Sequence, residues 1–332
     1  MDNLVSVIIP CYNGADTVDR AIQSVFLQDN CRIELIIVND GSTDKSEEKI
    51  LAWQKSFEEK DHIFKYVYQK NKGLGGAINT GLKYVTGVFL TLLDADDQYL
   101  QGSLAIRTAY LQEHPECDAV RTNGWHIHGE QKYLFVYENS EKNCADVFRS
   151  LIRGETNNWA GSYMVRTEPL FAFYPEREIY ASRYGQNLQI LLPVVYNKPC
   201  GFIDKPLMNY IHQINSLSRT SDSRIEKDKA LENAAGYRDV RIYMLNAIVT
   251  EPDLLENYIQ MLDGAYWRFI LNIAARFHDK KLVKDAYEKI LLFEKTTYQD
   301  KLTYYRQISP LIYQLIRVIN KLKRLFDTCE KS

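Results

Sequence analysis

The chain has 332 residues, 45 % of them hydrophobic and 25 % charged, with a formal charge of −2. That length allows two domains, or one domain with a large appendage, and the apolar share can bury a core. The balanced charge argues against nucleic acid as a partner, and no apolar run is long enough to span a bilayer. Met1-Asp2-Asn3 leads into a strand without a basic segment, which argues against a signal peptide. The six cysteines are scattered and form no C-x-x-C pair, so they read as buried thiols of a reducing compartment.

Leu4–Ile9 reads as a first strand, stopped by Pro10. A helix over 17–28 follows, with Asp16 as N-cap and Val18, Ala21, Ile22, Val25 and Phe26 at helical spacing. Ile33–Val38 is a second strand. The turn Asn39–Asp44 leads to a helix ending near Phe57, and 63–69 is a third strand. The glycine-rich turn Asn71–Gly76 opens a helix with Ala77, Ile78, Gly81, Leu82 and Val85 inward, and Val88–Leu93 is a fourth strand. Alternating strands and helices predict an α/β fold with a parallel, doubly wound sheet. From about 100 to 222 the pattern is mixed, with helices over 103–113 and 187–195 and short strands near 119–122 and 133–137. Beyond about 224 it is almost wholly helical, with breaks near Pro252, Lys280 and Pro310.

Two apolar runs end in acidic residues. Val88–Leu93 runs into Asp94-Ala95-Asp96-Asp97, and Ile33–Val38 into Asn39-Asp40. Strand ends of this kind are where open α/β sheets bind ligands. Asp94 and Asp96, spaced i and i+2, fall on one face of an extended backbone. Two hard oxygen donors there suit a divalent cation that also holds a substrate's phosphates. Asp40 can accept hydrogen bonds from a base or a ribose, or it only caps the next helix. The turn 73–76 is neither G-x-G-x-x-G nor a Walker loop, so a dinucleotide fingerprint is not supported.

Four ordered motifs resemble the inverting glycosyltransferases of family 2, which have the GT-A fold. They are Ser6–Asn13, Ile36–Asp44, Asn71–Gly81 and Leu92–Asp97. The resemblance implies that Pro10, Tyr12 and Asp40 hold the nucleotide base and that Asn13, Asn71, Gly73 and Ala95 complete the donor site. It places Asp94 on the ribose or metal side and Asp96 on a Mn2+ or Mg2+ ion bridging the donor diphosphate. Tyr210–Ser218 resembles the family's H-x-x-S-x-S segment, which makes His212 a further metal or diphosphate contact. Asn158–Ser162 resembles the acceptor side, where Trp159 stacks on a sugar or packs in the core, next to Gly161.

One position departs from the family. Gly185-Gln186-Asn187 stands where members carry G-E-D, the carboxylate that deprotonates the acceptor. Amides hydrogen-bond but are not bases at neutral pH. Gln186 and Asn187 then orient the acceptor, and a carboxylate must reach the site from elsewhere. Glu178 is the first choice and Asp97 the second, with Glu176 and Asp204 as further carboxylates.

The expected organisation is a GT-A domain over 1–220, with a nucleotide-binding half over 1–100 and an acceptor half over 101–220. A helical region over 221–332 ends in a basic amphipathic tail. Residues 301–332 hold seven Lys or Arg against two acids, a net of +5, beside apolar residues at helical spacing from Leu311 to Phe326. Such a helix suits an anionic membrane surface, or its apolar face packs on the preceding helices. The implied activity is metal-dependent transfer of a sugar from a nucleoside-diphosphate donor, UDP first, to a saccharide or lipid-linked acceptor. The implied setting is cell-surface polysaccharide assembly, in the cytoplasm at the inner face of the membrane. The alternative is a non-catalytic module that only binds a nucleotide-sugar.

Overall fold

Residues 4–138, 142–212 and 223–329 are described by the structure, a computed structural model, with side chains over 225–319 in the last segment. The chain divides into two compact units, Met1–Leu217 and Ser218–Ser332.

Among the described residues, the first unit is built on a nine-stranded sheet. β1 (Val5–Cys11) and β2 (Ile33–Asn39) are buried at every position, as strands covered on both faces must be. β3 (Ile63–Tyr68), β2, β1 and β4 (Phe89–Leu92) lie side by side and run parallel. The crossovers are α1 (Val18–Phe26), then α2 (Ser46–Leu51) with α3 (Gln54–Glu59), then α4 (Gly73–Lys83). The Ile9, Val25, Leu35, Ile37 and Phe57 side chains share one core.

Three local expectations need correction. Pro10 lies inside β1, because the β1–β4 pairing already ends at Ile8–Leu92 and the β1–β2 pairing continues to Cys11. Asp16 does not cap α1; Thr17 is the N-cap, without a side-chain bond, and the Gly14 carbonyl accepts from Thr17 and Val18. The helix before Phe57 is split at Trp53, whose Nε1 reaches Asp19 of α1 at 2.8 Å.

Beyond β4 the sheet turns mixed. β5 (Gln98–Tyr99) and α5 (Ser103–Glu113) lead to β6 (Ala119–His128), which hairpins with β7 (Gln131–Leu134). α6 (Val147–Arg153) precedes β8 (Tyr163–Arg166), which lies antiparallel between β4 and β6. α7 (Thr167–Phe173) and α8 (Gln186–Val195) lead to β9 (Cys200–Ile211), parallel to β6 and antiparallel to β5. β9 escapes a reading by pattern because Asp204-Lys205-Pro206 interrupts it where its register with β6 shifts.

A buried charge ties the amino-terminal edge of the sheet together. Glu34 has no exposed surface, and it accepts from Lys65 Nζ at 2.6 Å, Ser6 Oγ at 2.5 Å and the Thr86 amide at 2.8 Å. Burial pushes this carboxyl up, but the hydrogen bonds, led by Lys65, outweigh it and leave the group below its ordinary value of 4.5. The stability this lends is therefore full above that value and falls as pH drops toward the depressed one. Glu34→Gln is expected to cost about 3 kcal/mol, the lower end for breaking a buried pair, since Lys65 keeps access to water. The loss should shrink in acid. Urea denaturation at pH 7 and pH 3.5 checks both points.

The second unit consists of α9 (Ser223–Ile248), α10 (Pro252–Arg276), α11 (Lys280–Phe293), α12 (Tyr298–Ile308) and α13 (Pro310–Cys329). Its core joins Ala234, Ile270, Leu271, Ala274, Val283, Ala286 and Ile290. Pro252 and Pro310 each start a helix, and Asp279 caps α11 through the Leu282 amide. An unforeseen break at 294–297 is set by a capping box between Thr297 and Asp300. Among the described residues, no helix is long and apolar enough to cross a membrane.

Candidate active site

The loops at the carboxyl ends of β1, β2, β3 and β4 meet along one edge of the sheet. The loop after β1 is braced against the loop after β2. The Asn13 amide donates to Ser42 Oγ at 2.9 Å, and Asn13 Oδ1 accepts from the Thr43 amide at 2.8 Å. Asp44 accepts from the Ala15 amide at 3.0 Å. Asn13 thus works inside this brace, while Tyr12 beside it is 54 % exposed and free to lie against a flat ligand.

Asp40 is buried. Its Oδ1 accepts from Gln69 Nε2 at 2.6 Å and from the Lys72 amide at 2.8 Å. It therefore gathers the turn that starts α4. Asn71 Oδ1 closes that turn on the Gly73 amide at 3.1 Å.

The turn after β4 concentrates negative charge. Asp94, Ala95 and Asp96 are half-buried, and Asp97 is buried. The Asp97 amide donates to the Asp94 carbonyl at 3.1 Å, which folds the three carboxyls into one turn. Asp97 Oδ1 accepts from the Ile211 amide at 2.8 Å, while its Oδ2 is buried without a partner. Burial and then the Asp96 charge push the Asp94 carboxyl up to about 7. Burial raises Asp96 despite the Arg20 guanidinium, and burial with Asp94 and Asp96 raises Asp97 well above its ordinary value. Arg20 of α1 donates to the Asp96 carbonyl at 3.1 Å.

Three carboxyls raised by burial, two of them also by their neighbours' charge, would gain from a cation. Among the described residues, no three His, Cys, Asp or Glu side chains form a ready metal cage. The donor set fits a hard divalent ion that would be held by one or two carboxylates here and otherwise by a substrate's phosphates.

The structure does not bring Glu178 to this edge. The segment 178–182 is fastened along α4. Glu178 pairs with Lys83 at 2.5 Å, Asn79 exchanges two hydrogen bonds with the Ile179 backbone, and Gly75 faces Ser182. A Cβ on Gly75 would come within 2.9 Å of the Ser182 carbonyl, so only glycine allows this approach. Since α4 starts at the site edge and rises about 1.5 Å per residue, Lys83 and Glu178 lie at the far end of the helix. Lys83 holds the Glu178 carboxyl below its ordinary value. Glu178→Gln is expected to leave turnover unchanged, as the loss of an exposed ion pair should; steady-state kinetics checks this. Asp204 also turns elsewhere, to Lys142 at 2.7 Å and Asn123 at 2.9 Å.

Gln186 and Asn187 open α8. Gln186 Nε2 donates to the Ser182 carbonyl at 2.8 Å, so this amide holds its own loop. Asn187 Oδ1 accepts from the buried Tyr163 hydroxyl at 2.8 Å. Burial and then the Asp94 charge push the Tyr163 hydroxyl up.

Trp159, Tyr210, His126 and His212 form an aromatic cluster. Trp159 is 38 % exposed, with its ring 5.2 Å from Tyr210 and 5.7 Å from His126. His126 Nδ1 and His212 Nε2 lie 3.1 Å apart, so one donates to the other. Burial and His212 push the His126 ring down to about 4. A metal contact by His212 would use its Nδ1 or break this bond. Residues 213–218 of the matching segment lie outside the described residues. Gly161, at φ +83°, packs where a Cβ would sit 3.0 Å from Met208 Sδ and 3.2 Å from Leu93 Cδ1. The fully buried Arg107 of α5 holds this turn, donating to the Gly161 carbonyl at 3.1 Å and the Tyr163 carbonyl at 2.8 Å.

Arg20, Arg107, His126 and Tyr163 were not foreseen. Each reaches the site from a separate element, and no local pattern in the sequence marks any of them.

Residues 6–173 match the model of Glycosyl transferase family 2. Glycosyltransferase GlyA of Streptococcus pneumoniae serotype 4 is 34 % identical over 149 residues, covering 42 % of this chain and 21 % of its own. The Escherichia coli UDP-Glc:alpha-D-GlcNAc-diphosphoundecaprenol beta-1,3-glucosyltransferase WfgD is 34 % identical over 110 residues, covering 33 % of this chain and 42 % of its own. The chain spans about a fifth to two fifths of the length of the curated relatives it matches. Among solved structures, residues 1–349 of S. aureus TarS in complex with UDP-GlcNAc align with a TM-score of 0.55 at 17 % identity, covering 91 % of each chain. The mixed sheet and this likeness identify the GT-A fold.

Proposed function

The chain belongs to glycosyl transferase family 2, and from that premise we propose that it transfers a sugar from a nucleoside diphosphate to a saccharide or lipid-linked acceptor. The observation that carries the reading is the Asp94–Asp97 turn. It is a concentration of carboxyls at the carboxyl edge of a parallel sheet, with one buried oxygen left without a partner. Such a turn suits a divalent ion, Mn2+ or Mg2+, on a diphosphate.

Asp96, with Asp94 beside it, would hold the metal. When bound, the ion offsets the negative charge that grows on the departing diphosphate. The chain's own residues do the rest. Tyr12 lies against the base, next to Pro10. Asp40 fixes the turn carrying Asn71 and Gly73. Arg107 fixes Gly161, and Trp159 offers a ring face to an acceptor sugar. UDP is the favoured donor, since WfgD is named for a UDP-sugar and TarS was solved with one. WfgD is also named for a diphosphoundecaprenol-linked acceptor, which supports a lipid-linked acceptor for this chain; the setting we propose with it is cell-surface polysaccharide assembly on the cytoplasmic face of a membrane.

Inversion needs the proton removed on the acceptor side, away from the diphosphate. Glu178 is at the wrong end of α4, and Asp97 is too buried to touch an acceptor hydroxyl. Asp97 instead ties the acidic turn to β9. The Asn187 amide is left to orient the acceptor. That observation keeps a second reading in play, a module that binds a nucleotide-sugar without transferring it. The test is incubation with UDP-sugars, Mn2+ and a panel of saccharide and polyprenyl-diphosphate acceptors, followed by product analysis. A metal-dependent glycosylated product of inverted anomeric configuration is expected. Donor binding without any product selects the binding module.

A further inference from the structure

We infer that the first half of α13 is a docking surface for an anionic lipid bilayer. Leu311, Ile312, Leu315, Val318 and Ile319 recur at i, i+1, i+4, i+7 and i+8 of this helix, which puts them on one stripe. All five are exposed, Leu311 by 81 %, Leu315 by 58 % and Val318 by 55 %. No side chain described in α13 is buried, so this stripe does not pack on the second unit's core. An apolar stripe of five large side chains left in water marks an interaction surface.

Charge selects the occupant. Arg317 is exposed within the stripe region, and in sequence the same helix continues through Lys321, Lys323 and Arg324 before its first acid, Asp327. Residues 301–332 carry a net of +5 while the whole chain carries −2. A second copy of the chain would bring two such basic segments together and repel. An anionic headgroup layer attracts the basic residues while the apolar stripe enters the acyl boundary, the arrangement of an interfacial amphipathic helix. The surface does not depend on the sugar-transfer reading, and the test reads it without turnover.

The full chain is floated with phosphatidylglycerol-containing vesicles and with pure phosphatidylcholine vesicles, at low and at high salt. The expected result is flotation with the anionic vesicles only, weakening as salt screens the charge. The double variant L315E/V318E, at exposed positions and so without effect on the melting temperature, is expected to bind at least about tenfold more weakly. R317E should weaken anionic binding and leave the fold intact. Equal flotation of wild type and L315E/V318E overturns the proposal. So does equal binding to neutral vesicles, or a dimer in analytical ultracentrifugation that the double variant abolishes.

Discussion

Asp96→Asn is expected to lower sugar transfer by at least about 10²-fold, the scale seen when one group that stabilises developing charge is removed. The amide keeps the shape of the side chain and loses the charge that would hold a cation against the departing diphosphate. The fold should survive, because Asp96 is half-buried and its main tie to the protein is a backbone carbonyl that accepts from Arg20. Stability should even rise. Burial raises the Asp96 carboxyl, and its charge pushes up both Asp94 and Asp97. A group whose pKa is raised in the folded state costs stability once it ionises, so neutral pH without metal is where removing it helps. Single-turnover rates with Mn2+ and a melting curve of the metal-free protein measure the two effects. A variant with near-normal turnover would remove the metal role from Asp96.

Asn187→Asp is expected to act in the opposite direction, raising turnover on an ordinary hydroxyl acceptor by about 10²-fold, the lower range for a general base. Under the proposed function this position lies on the acceptor side, and Tyr163 already donates to its Oδ1. A carboxylate there keeps that hydrogen bond and offers its second oxygen to the acceptor. The half-buried position raises its pKa and the Tyr163 hydrogen bond lowers it, so it should ionise within the acidic-to-neutral range, which suits a base. The gain should therefore appear as pH rises through that range. Unchanged turnover across the pH range would mean that proton removal does not limit the reaction at this position.

The place of Asp40 and Asp94 at the carboxyl edge of the sheet was legible because the pattern that marks it is local. β1, β2 and β4 are buried on both faces, so each reads as an unbroken apolar run, and Asp40 and Asp94 are the first acids after two of them. The helix starts at Pro252, Lys280 and Pro310 were legible for the same reason, since a proline or a cap marks each within one turn. The break at 294–297 was equally local, a Thr297-x-x-Asp300 box that went unread.

Other features exist only in three dimensions. Glu178 sits close in sequence to Gln186, yet its ion pair with Lys83 carries it to the far end of α4. β9 hides behind Asp204-Lys205-Pro206 and is made a strand by β6. Arg107 is a buried guanidinium whose hydrogen-bond acceptors include carbonyls more than fifty residues away. The tail's pattern suits either packing or lipid, and the exposure of Leu311 and Leu315 is what motivates the vesicle test.

The most direct test is a calorimetric titration of UDP into the wild-type protein with and without Mn2+. Tight binding with Mn2+ and binding at least about tenfold weaker without it are expected, because Asp94 and Asp96 would hold the ion only together with the diphosphate. Equal affinity in the two titrations, or no binding in either, would contradict a metal-bridged donor site at Asp94 and Asp96.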